Sequence, residues 1–263
     1  MDHLGLTLYI QGSSADVLEA SKQAQNFLSV NPVVVDGQFD AKWIKAQLEP
    51  CLIHDQHGFR FVTSGQVLSP DWRKLARRVV KAGRKTEGLL RALKLTPGTR
   101  VIDATAGLGV DSLLMASTGA QVNMIERQPV LALLLSDQLQ QIAQEANWRS
   151  ISPRLNLVHN DALSAFEQLY GQPIDVVYLD PMFEAGSYRA KVSGNMQLLH
   201  SLSEPPSADE QHGLLKAAMK LADKVVVKRA TSAPPLAGLK PQAVSTGDSV
   251  RYDIYTQNQS MGV

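Results

Sequence analysis

The sequence predicts an α/β protein with a mostly parallel, doubly wound sheet, preceded by a small α/β subdomain. Short apolar runs alternate with amphipathic helical stretches through most of the chain, as in sheets built from β-α-β units. The residues before 70 have the pattern of a smaller α/β unit. The length of 263 residues suffices for one full domain and a small one. We therefore expect the subdomain at 1–70, a basic connecting helical segment at 71–95 and the main domain at 96–263.

The predicted subdomain contains a helical stretch at 14–28, which follows the apolar run at 6–10. Short strands are predicted at 33–35, 51–53 and 59–62. None of these elements carries a recognisable chemical motif. Ser69-Pro70-Asp71 is typical of a helix start, because proline is favoured in the first turn, and the connecting helix is expected to run up to Gly83.

The main domain should contain six strands separated by helices. Strands are predicted at 100–103, 121–126, 155–159, 175–180, 224–228 and 251–255, and helices at 110–118, 129–147, 163–170 and 208–222. Short segments rich in proline and glycine lie between these strands and helices, as expected for loops.

Charge is unevenly distributed along the chain. The net charge is +1, yet residues 71–100 contain ten lysines and arginines and only two acidic residues. Such a segment is either a solvated helix face or a surface for a polyanion such as nucleic acid. The candidates for binding phosphates include two residues from the end of a later strand. They are Arg77, Arg78, Lys81, Arg84, Lys85, Lys228 and Arg229.

Composition excludes several classes of protein. No stretch approaches the roughly 20 apolar residues that cross a bilayer, and the N-terminus lacks the pattern of a signal peptide, so we expect a cytoplasmic protein without membrane contact. The single cysteine, Cys51, excludes an internal disulfide. No histidine or cysteine cluster has the spacing of metal ligands, so we expect no metal.

The segment from Asp103 to Gly109 predicts a cofactor loop. A strand ends in an acidic residue, turns through Gly107 and Gly109, and enters a helix, so the backbone can approach a ligand beside a helix N-terminus. The pattern resembles motif I of class I S-adenosylmethionine (SAM)-dependent methyltransferases, where the acidic strand end faces the methionine amino group. A dinucleotide fingerprint requires a third glycine where Ser112 stands, which disfavours an NAD-dependent oxidoreductase.

Two further strands end in acidic residues. Glu126 lies nineteen residues beyond Gly107, where a carboxylate can accept hydrogen bonds from both hydroxyls of an adenosine ribose. Asp161 follows the third strand and can accept from the adenine amine. Each carboxylate alone is also explained as a helix cap or a surface residue, but three in order favour a SAM site.

The sequence Tyr-Leu-Asp180-Pro181-Met-Phe183 ends the fourth strand of the main domain. It resembles motif IV of methyltransferases that modify exocyclic amines of bases. Such an amine is a poor nucleophile, because its lone pair is delocalised into the ring. The Asp180 carboxylate and the Pro181 carbonyl can bind its hydrogens, and Phe183 offers a stacking face to the base. These three residues are our candidate catalytic residues.

Together, these motifs and the Val-Val-Val-Lys-Arg strand at 225–229 resemble the ribosomal RNA small subunit methyltransferase J family. The resemblance implies a Rossmann-like class I fold. It also implies methyl transfer from SAM to N2 of a guanosine in 16S ribosomal RNA, leaving S-adenosylhomocysteine, with free 16S rRNA or the 30S subunit as partner. The implied and motif-derived cofactor contacts are Asp103, Gly107, Gly109, Val110, Asp111, Glu126, Arg127, Asp161, Ala162 and Asp180.

Two other functions stay open from the residues alone. Motif IV is compatible with methylation of another base, such as adenine N6 in DNA or RNA. A noncatalytic RNA-binding module could retain the fold, although the intact loop and Asp180-Pro181 disfavour it.

Overall fold

A computed structural model describes residues 6–181, 198–199, 202, 206–247 and 250–256. The described residues form two sheets, one of five strands and one of seven. The five-stranded sheet is built from residues before 70, and the seven-stranded sheet from residues beyond 99. The mostly parallel, doubly wound main sheet and the small α/β subdomain are therefore confirmed.

The N-terminal sheet has the order β2-β1-β3-β4-β5. Strand β1 is parallel to β2 and β3, and the remaining pairs are antiparallel. Its elements are β1 (Leu6–Ile10), α1 (Ser14–Gln25), β2 (Val30–Val34), α2 (Ala41–Ala46), β3 (Cys51–Asp55), β4 (Gly58–Thr63) and β5 (Gln66–Leu68). Helix α2 and strand β5 are absent from the sequence prediction, because six and three residues are too few for a periodic pattern.

The basic connecting segment contains two short helices, and the helix predicted to run up to Gly83 ends two residues earlier, at Lys81. A 3-10 turn at Trp72–Leu75 leads into α3 (Ala76–Lys81), and α4 (Gly88–Leu93) follows after a turn. The chain leaves the helix at Ala82, where the backbone is extended. The Thr86 hydroxyl, which donates to the Lys81 carbonyl at 2.9 Å, stabilises this turn.

The main sheet has the order β11-β12-β10-β9-β6-β7-β8, with β12 antiparallel to its two neighbours and the other pairs parallel. Its strands are β6 (Arg100–Asp103), β7 (Gln121–Glu126), β8 (Leu155–His159), β9 (Val176–Leu179), β10 (Lys224–Ala230), β11 (Ala243–Thr246) and β12 (Val250–Thr256). The helices are α5 (Val110–Ser117), α6 (Pro129–Ala143), α7 (Ala162–Leu169) and α8 (Ala208–Leu221). All six predicted strands are confirmed, whereas α6 ends four residues earlier than predicted.

The order of the main sheet creates a switch point at β6. Strand β6 lies between β7 and β9, so the chain builds the sheet outward in both directions from this strand. In open α/β sheets, ligands bind in the crevice at the carboxyl ends of the strands beside such a point. The predicted site residues at the ends of β6, β7 and β9 lie at this edge.

Helix α6 joins the two sheets. Its Leu131 and Leu134 share a buried apolar cluster with Leu52 and Phe61 of the N-terminal sheet. The carboxylate of Asp137, also on α6, accepts a hydrogen bond from a backbone amide of β4 at 3.0 Å. The N-terminal unit therefore packs directly against a helix that begins beside Glu126.

Candidate active site

The loop after β6 lies across the ends of three strands. Its backbone amides at Ala104 and Ala106 donate to carbonyls of β9 and β7 at 3.0 and 3.1 Å. Gly107 and Gly109 have φ angles of +56° and +70°, in the left-handed region that favours glycine. The chain then enters α5 at Val110, so two backbone amides of the first helical turn, at Val110 and Asp111, lie beside the loop.

Glu126 supports this loop from the end of β7. Its side chain accepts hydrogen bonds from the amides of Gly107 at 2.8 Å and Gln128 at 2.7 Å. Burial raises the pKa of Glu126, and these amides oppose that shift. A carboxylate has about four acceptor positions, and the backbone amides of Gly107, Gln128 and Arg127 act on this one, so a position remains for a ribose hydroxyl. Arg127, the next predicted contact, is exposed at the same edge.

Asp103 lies beneath the loop. It is 1% exposed, and its carboxylate accepts hydrogen bonds from the Ser112 hydroxyl and the Thr105 amide. Burial raises its pKa to about 7, and the Ser112 hydrogen bond opposes the rise. In the structure, Asp103 therefore connects β6 to α5, and its contact with a methionine amino group stays a prediction.

Replacing Asp103 with asparagine is expected to change how stability depends on pH. Because its pKa is raised to about 7, the folded protein retains a proton that the unfolded chain releases above about pH 4. Asp103 therefore lowers the free energy of unfolding as the pH rises from about 4 to 7, by at most about 1.4 kcal/mol per pH unit. Urea unfolding at several pH values should show Asp103→Asn gaining stability relative to the wild type across this window.

Asp175 offers a control of opposite sign. Hydrogen bonds from Arg100 lower the pKa of Asp175, so its contribution to stability is present above its unfolded pKa and is lost as the pH falls. Asp175→Asn should thus lose stability relative to the wild type at neutral pH. A stability difference for Asp103→Asn that does not vary between pH 4 and 7 would contradict the assignment.

Asp161 and Ala162 lie where β8 leads into α7. Asp161 Oδ1 accepts from the amides of Leu163 at 2.9 Å and Ser164 at 3.4 Å, so this carboxylate caps the helix. Its Oδ2 atom accepts no hydrogen bond from the part of the chain that the structure describes. Asp161 is exposed, and Ala162 is buried behind it. Recognition of adenine by this pair stays a prediction.

Asp180 and Pro181 follow β9, next to the cofactor loop. The Asp180 amide donates to the Thr105 hydroxyl at 2.7 Å, which fixes the start of motif IV against the motif I loop. Pro181 is buried. Phe183, the third candidate catalytic residue, lies outside the described residues. The structure therefore brings the predicted cofactor and target halves of the site together through Thr105.

Lys228 joins two of the predicted acidic residues. Its ammonium group donates to Asp180 Oδ2 at 2.8 Å and to Asp111 Oδ2 at 3.0 Å, and the Tyr178 hydroxyl donates to the same Asp111 oxygen at 2.6 Å. We call these four residues the Lys228 cluster. Tyr178 has no role in the sequence prediction, and Lys228 has a different one there, as a phosphate ligand. The sequence signal for this contact is that Lys228 lies near the end of β10, a strand that pairs with β9 just before Asp180.

The basic candidates for RNA binding fall into two groups. Arg77, Lys81 and Lys85 are exposed around α3 and the turn after it. The others bind groups of the protein itself. Arg78 pairs with Glu87, Arg84 donates to carbonyls of Lys94 and Leu95, Lys228 pairs with Asp111 and Asp180, and the buried Arg229 donates to the Pro234 carbonyl.

The described residues contain neither a candidate metal site nor a candidate membrane span. No group of three or more histidine, cysteine, aspartate or glutamate side chains within these ranges could hold a metal ion. No described helix is long and apolar enough to cross a membrane.

The loop fits an adenosine-containing cofactor. A Cβ atom built on Gly107 would point into open space, with no described atom within 4 Å. The Glu126 carboxylate accepts from the amide of this same glycine, and α5 begins three residues later, at Val110. An acceptor for ribose hydroxyls and uncovered backbone thus lie side by side, as SAM requires.

Comparison with known proteins agrees with this geometry. The family model of SAM-dependent methyltransferases matches residues 67–257. A ribosomal RNA small subunit methyltransferase J from Psychrobacter arcticus is 43% identical over 225 residues, 78% of this chain and 76% of that protein. The protein of that name from Acinetobacter baumannii strain ATCC 17978 is 36% identical over 265 residues, 97% and 89% of the two chains. A solved SAM-dependent methyltransferase from Neisseria gonorrhoeae is 25% identical, with a TM-score of 0.72 over 97% of both chains.

Proposed function

The chain belongs to the ribosomal RNA small subunit methyltransferase J family, and from this premise we propose that it methylates the N2 amine of a guanosine in 16S ribosomal RNA. It is a SAM-dependent rRNA methyltransferase, and the chosen base and atom are our proposal. We propose free 16S rRNA or the 30S subunit as its partner. Ribosomal RNA as substrate implies action in the cytoplasm.

The proposal is carried by one observation, the hydrogen bond from the Asp180 amide to Thr105 within the cofactor loop. This contact holds a base-binding acceptor beside a loop that fits SAM. When bound, SAM supplies a methyl group on a positively charged sulfur, which keeps the bonding electron pair as the methyl leaves. Because the donor is already activated, the protein contributes mainly positioning and electrostatics.

The chain's own residues act on the amine. The carboxylate of Asp180 and the carbonyl of Pro181 accept its two hydrogens, which turns the nitrogen lone pair out of the ring. The nitrogen must lose one proton when it gains the methyl group. Asp180, the acidic residue of motif IV, can receive this proton or pass it to water. A carboxylate is nevertheless poorly matched to strong general-base catalysis.

The direct test uses methyl-labelled SAM with unmodified 16S rRNA, both free and within 30S subunits, followed by digestion to nucleosides. We expect the label in N2-methylguanosine. Label in N6-methyladenosine would overturn the proposed base while leaving the enzyme class intact. The better of the two substrates identifies whether the enzyme recognises free RNA or an assembled particle.

RNA affinity is expected to depend on the exposed basic residues around α3. Replacing Arg77, Lys81 and Lys85 together with alanine should weaken RNA binding. A plot of log affinity against log salt concentration has a negative slope. The magnitude of this slope should decrease by about two, since each phosphate contact contributes roughly 0.7 to 0.9. Filter binding at several salt concentrations measures this slope.

The matched control removes three exposed lysines from other helices. Lys22 lies on α1, Lys42 on α2 and Lys216 on α8, and all three are exposed. Their replacement with alanine changes the net charge equally, so a general charge effect would appear in both variants. An equal loss of slope in the control would show that α3 has no special part in binding.

A further inference from the structure

The Lys228 cluster places one cation between two carboxylates at the carboxyl edge of the main sheet. Lys228 comes from β10, Asp111 from the first turn of α5, Tyr178 from β9, and Asp180 directly follows β9. The side chains of Lys228, Asp111 and Asp180 are 22%, 19% and 28% exposed. The cluster is therefore partly shielded from water, and its charges interact strongly.

Charge balance in the cluster depends on Lys228. Asp111 and Asp180 bind the same ammonium, and the buried Asp103 adds a third carboxyl group nearby. Without Lys228, the carboxylates would repel each other, and ionisation of Asp180 would be disfavoured. Among the described residues, the other ionisable groups that act on this site include the phenols of Tyr178 and Tyr252 and the guanidinium groups of Arg78 and Arg229.

The pKa shifts agree with this description. Burial raises the pKa of Asp180 and Lys228 opposes the rise, while Asp111 adds to it. Burial lowers the pKa of Lys228, but the carboxylates of Asp180 and Asp111 outweigh burial and raise it above its usual value. Lys228 is thus an ammonium ion at neutral pH.

We propose that Lys228 is a positioning residue for methyl transfer, holding Asp180 as an ionised acceptor that faces the target amine. The inference rests on the proposed function. The ammonium binds Oδ2 of Asp180, and Oδ1 accepts no hydrogen bond from the part of the chain described here. Oδ1 is therefore the oxygen available to an amine hydrogen. Asp111 and the Tyr178 hydroxyl fix the opposite side of the ammonium.

This role replaces the phosphate contact that the sequence predicts for Lys228. A phosphate would have to compete with two carboxylates that already bind the ammonium at 2.8 and 3.0 Å. Lys81 and Lys85 are exposed and form no ion pair within the described ranges, so phosphate binding there carries a lower desolvation cost. A positioning role predicts that replacing Lys228 changes the pH dependence of kcat, whereas a phosphate contact predicts that it changes the salt dependence of RNA binding.

The test compares Lys228→Met with Lys228→Arg. Without the cation, the pKa of Asp180 should rise by about one to three units, so the acid limb of the kcat profile should move to higher pH by a similar amount. Below the shifted limb, kcat should be lower than that of the wild type, and it should recover as the pH rises through the limb. Lys228→Arg keeps a positive charge beside Asp180, so its acid limb should lie closer to that of the wild type than the limb of Lys228→Met does. The affinity for SAM, measured by calorimetry, should change little.

A second variant covers the case in which Lys228→Met does not fold. Asp111→Asn removes the negative charge that repels Asp180, and Asp180 then no longer shares the Lys228 ammonium with a second carboxylate. The pKa of Asp180 should therefore fall, and the acid limb should move to lower pH. The pKa of Asp180 can also be followed without turnover, by carbon NMR of labelled aspartate carboxyl groups assigned with Asp180→Asn. This readout separates the inference from the proposed function, because it needs no RNA and no choice of base.

Two results would overturn the proposal. One is an unchanged Asp180 titration and acid limb in Lys228→Met or, where that variant does not fold, in Asp111→Asn. The other is a loss of RNA affinity in Lys228→Met with a salt slope lower by about one and no movement of the limb, which identifies a phosphate contact. Methylation of a base other than guanine would instead refute only the proposed specificity.

Discussion

Asp180→Ala is expected to lose roughly 10²- to 10⁴-fold in kcat while its affinity for SAM stays within a few-fold of the wild type. The variant removes the acceptor that orients the amine. It leaves the cofactor loop in place, because the Asp180 bond to Thr105 is made by a backbone amide, which alanine retains. Single-turnover methylation and calorimetric titration with SAM measure the two quantities separately.

The stability of this variant should be close to normal, since Lys228 keeps Asp111 as a partner when Asp180 is removed. The loss of activity is therefore expected without unfolding. Asp180→Asn is the finer probe, because it keeps the shape and an acceptor oxygen but loses the charge. We expect its activity to lie between those of the wild type and Asp180→Ala.

Asp175 provides the matched control for Asp180. It lies just before β9, at the opposite end of the same strand, where it pairs with Arg100 at 2.8 Å. Asp175→Ala removes a carboxylate from the same strand and should cost at most about 1 kcal/mol of stability, as is usual for exposed ion pairs. Methyl transfer should be retained. Comparable losses of kcat in the two variants would show that Asp180 has no special role.

The positions of the acidic strand ends could be predicted from the sequence. Each apolar run that ends in Asp103, Glu126 or Asp180 indicates a buried parallel strand, and the carboxyl ends of parallel strands share one edge. Their convergence follows from the fold class alone. These residues are far apart in the sequence, but they still meet, because β6, β7 and β9 all run in the same direction.

The partners of these side chains could not be predicted in the same way. Lys228 lies 48 residues from Asp180 and 117 from Asp111, and their contact depends on β10 being the neighbour of β9. Burial likewise decides that Arg229 binds the Pro234 carbonyl. Strand β11 is absent from the sequence prediction for a related reason, since it is a four-residue edge strand stabilised by pairing with β12.

The two glycines of the cofactor loop are expected to respond differently to alanine, Gly107 mainly in SAM affinity and Gly109 mainly in stability. At Gly107, the new Cβ would meet no described atom within 4 Å, so the cost in stability is about 1 to 2 kcal/mol from the left-handed backbone. At Gly109, the Cβ would lie 2.5 Å from the Trp72 ring and 2.8 Å from Leu135. Both neighbours are fully buried, so neither can move cheaply.

Gly107→Ala should therefore lose affinity for SAM by at least about tenfold while its melting temperature falls by only a few degrees. The methyl group would occupy the open space at Gly107 that we assign to the cofactor. Gly109→Ala should lose considerably more stability, because the clash displaces Trp72, whose indole nitrogen donates to the Leu108 carbonyl at 2.9 Å. Calorimetry with SAM and thermal unfolding without it measure the two effects.

The pair of variants separates a binding surface from a packing contact within a single loop. If Gly107→Ala binds SAM as tightly as the wild type, the space beside Gly107 is not the cofactor site, and the loop serves only to connect β6 to α5. If it binds weakly but also unfolds as readily as Gly109→Ala, loss of structure explains the weak binding. Only weak binding by a folded Gly107→Ala supports the assignment. In that case the added methyl group acts on the open space at Gly107 and not on the packed core.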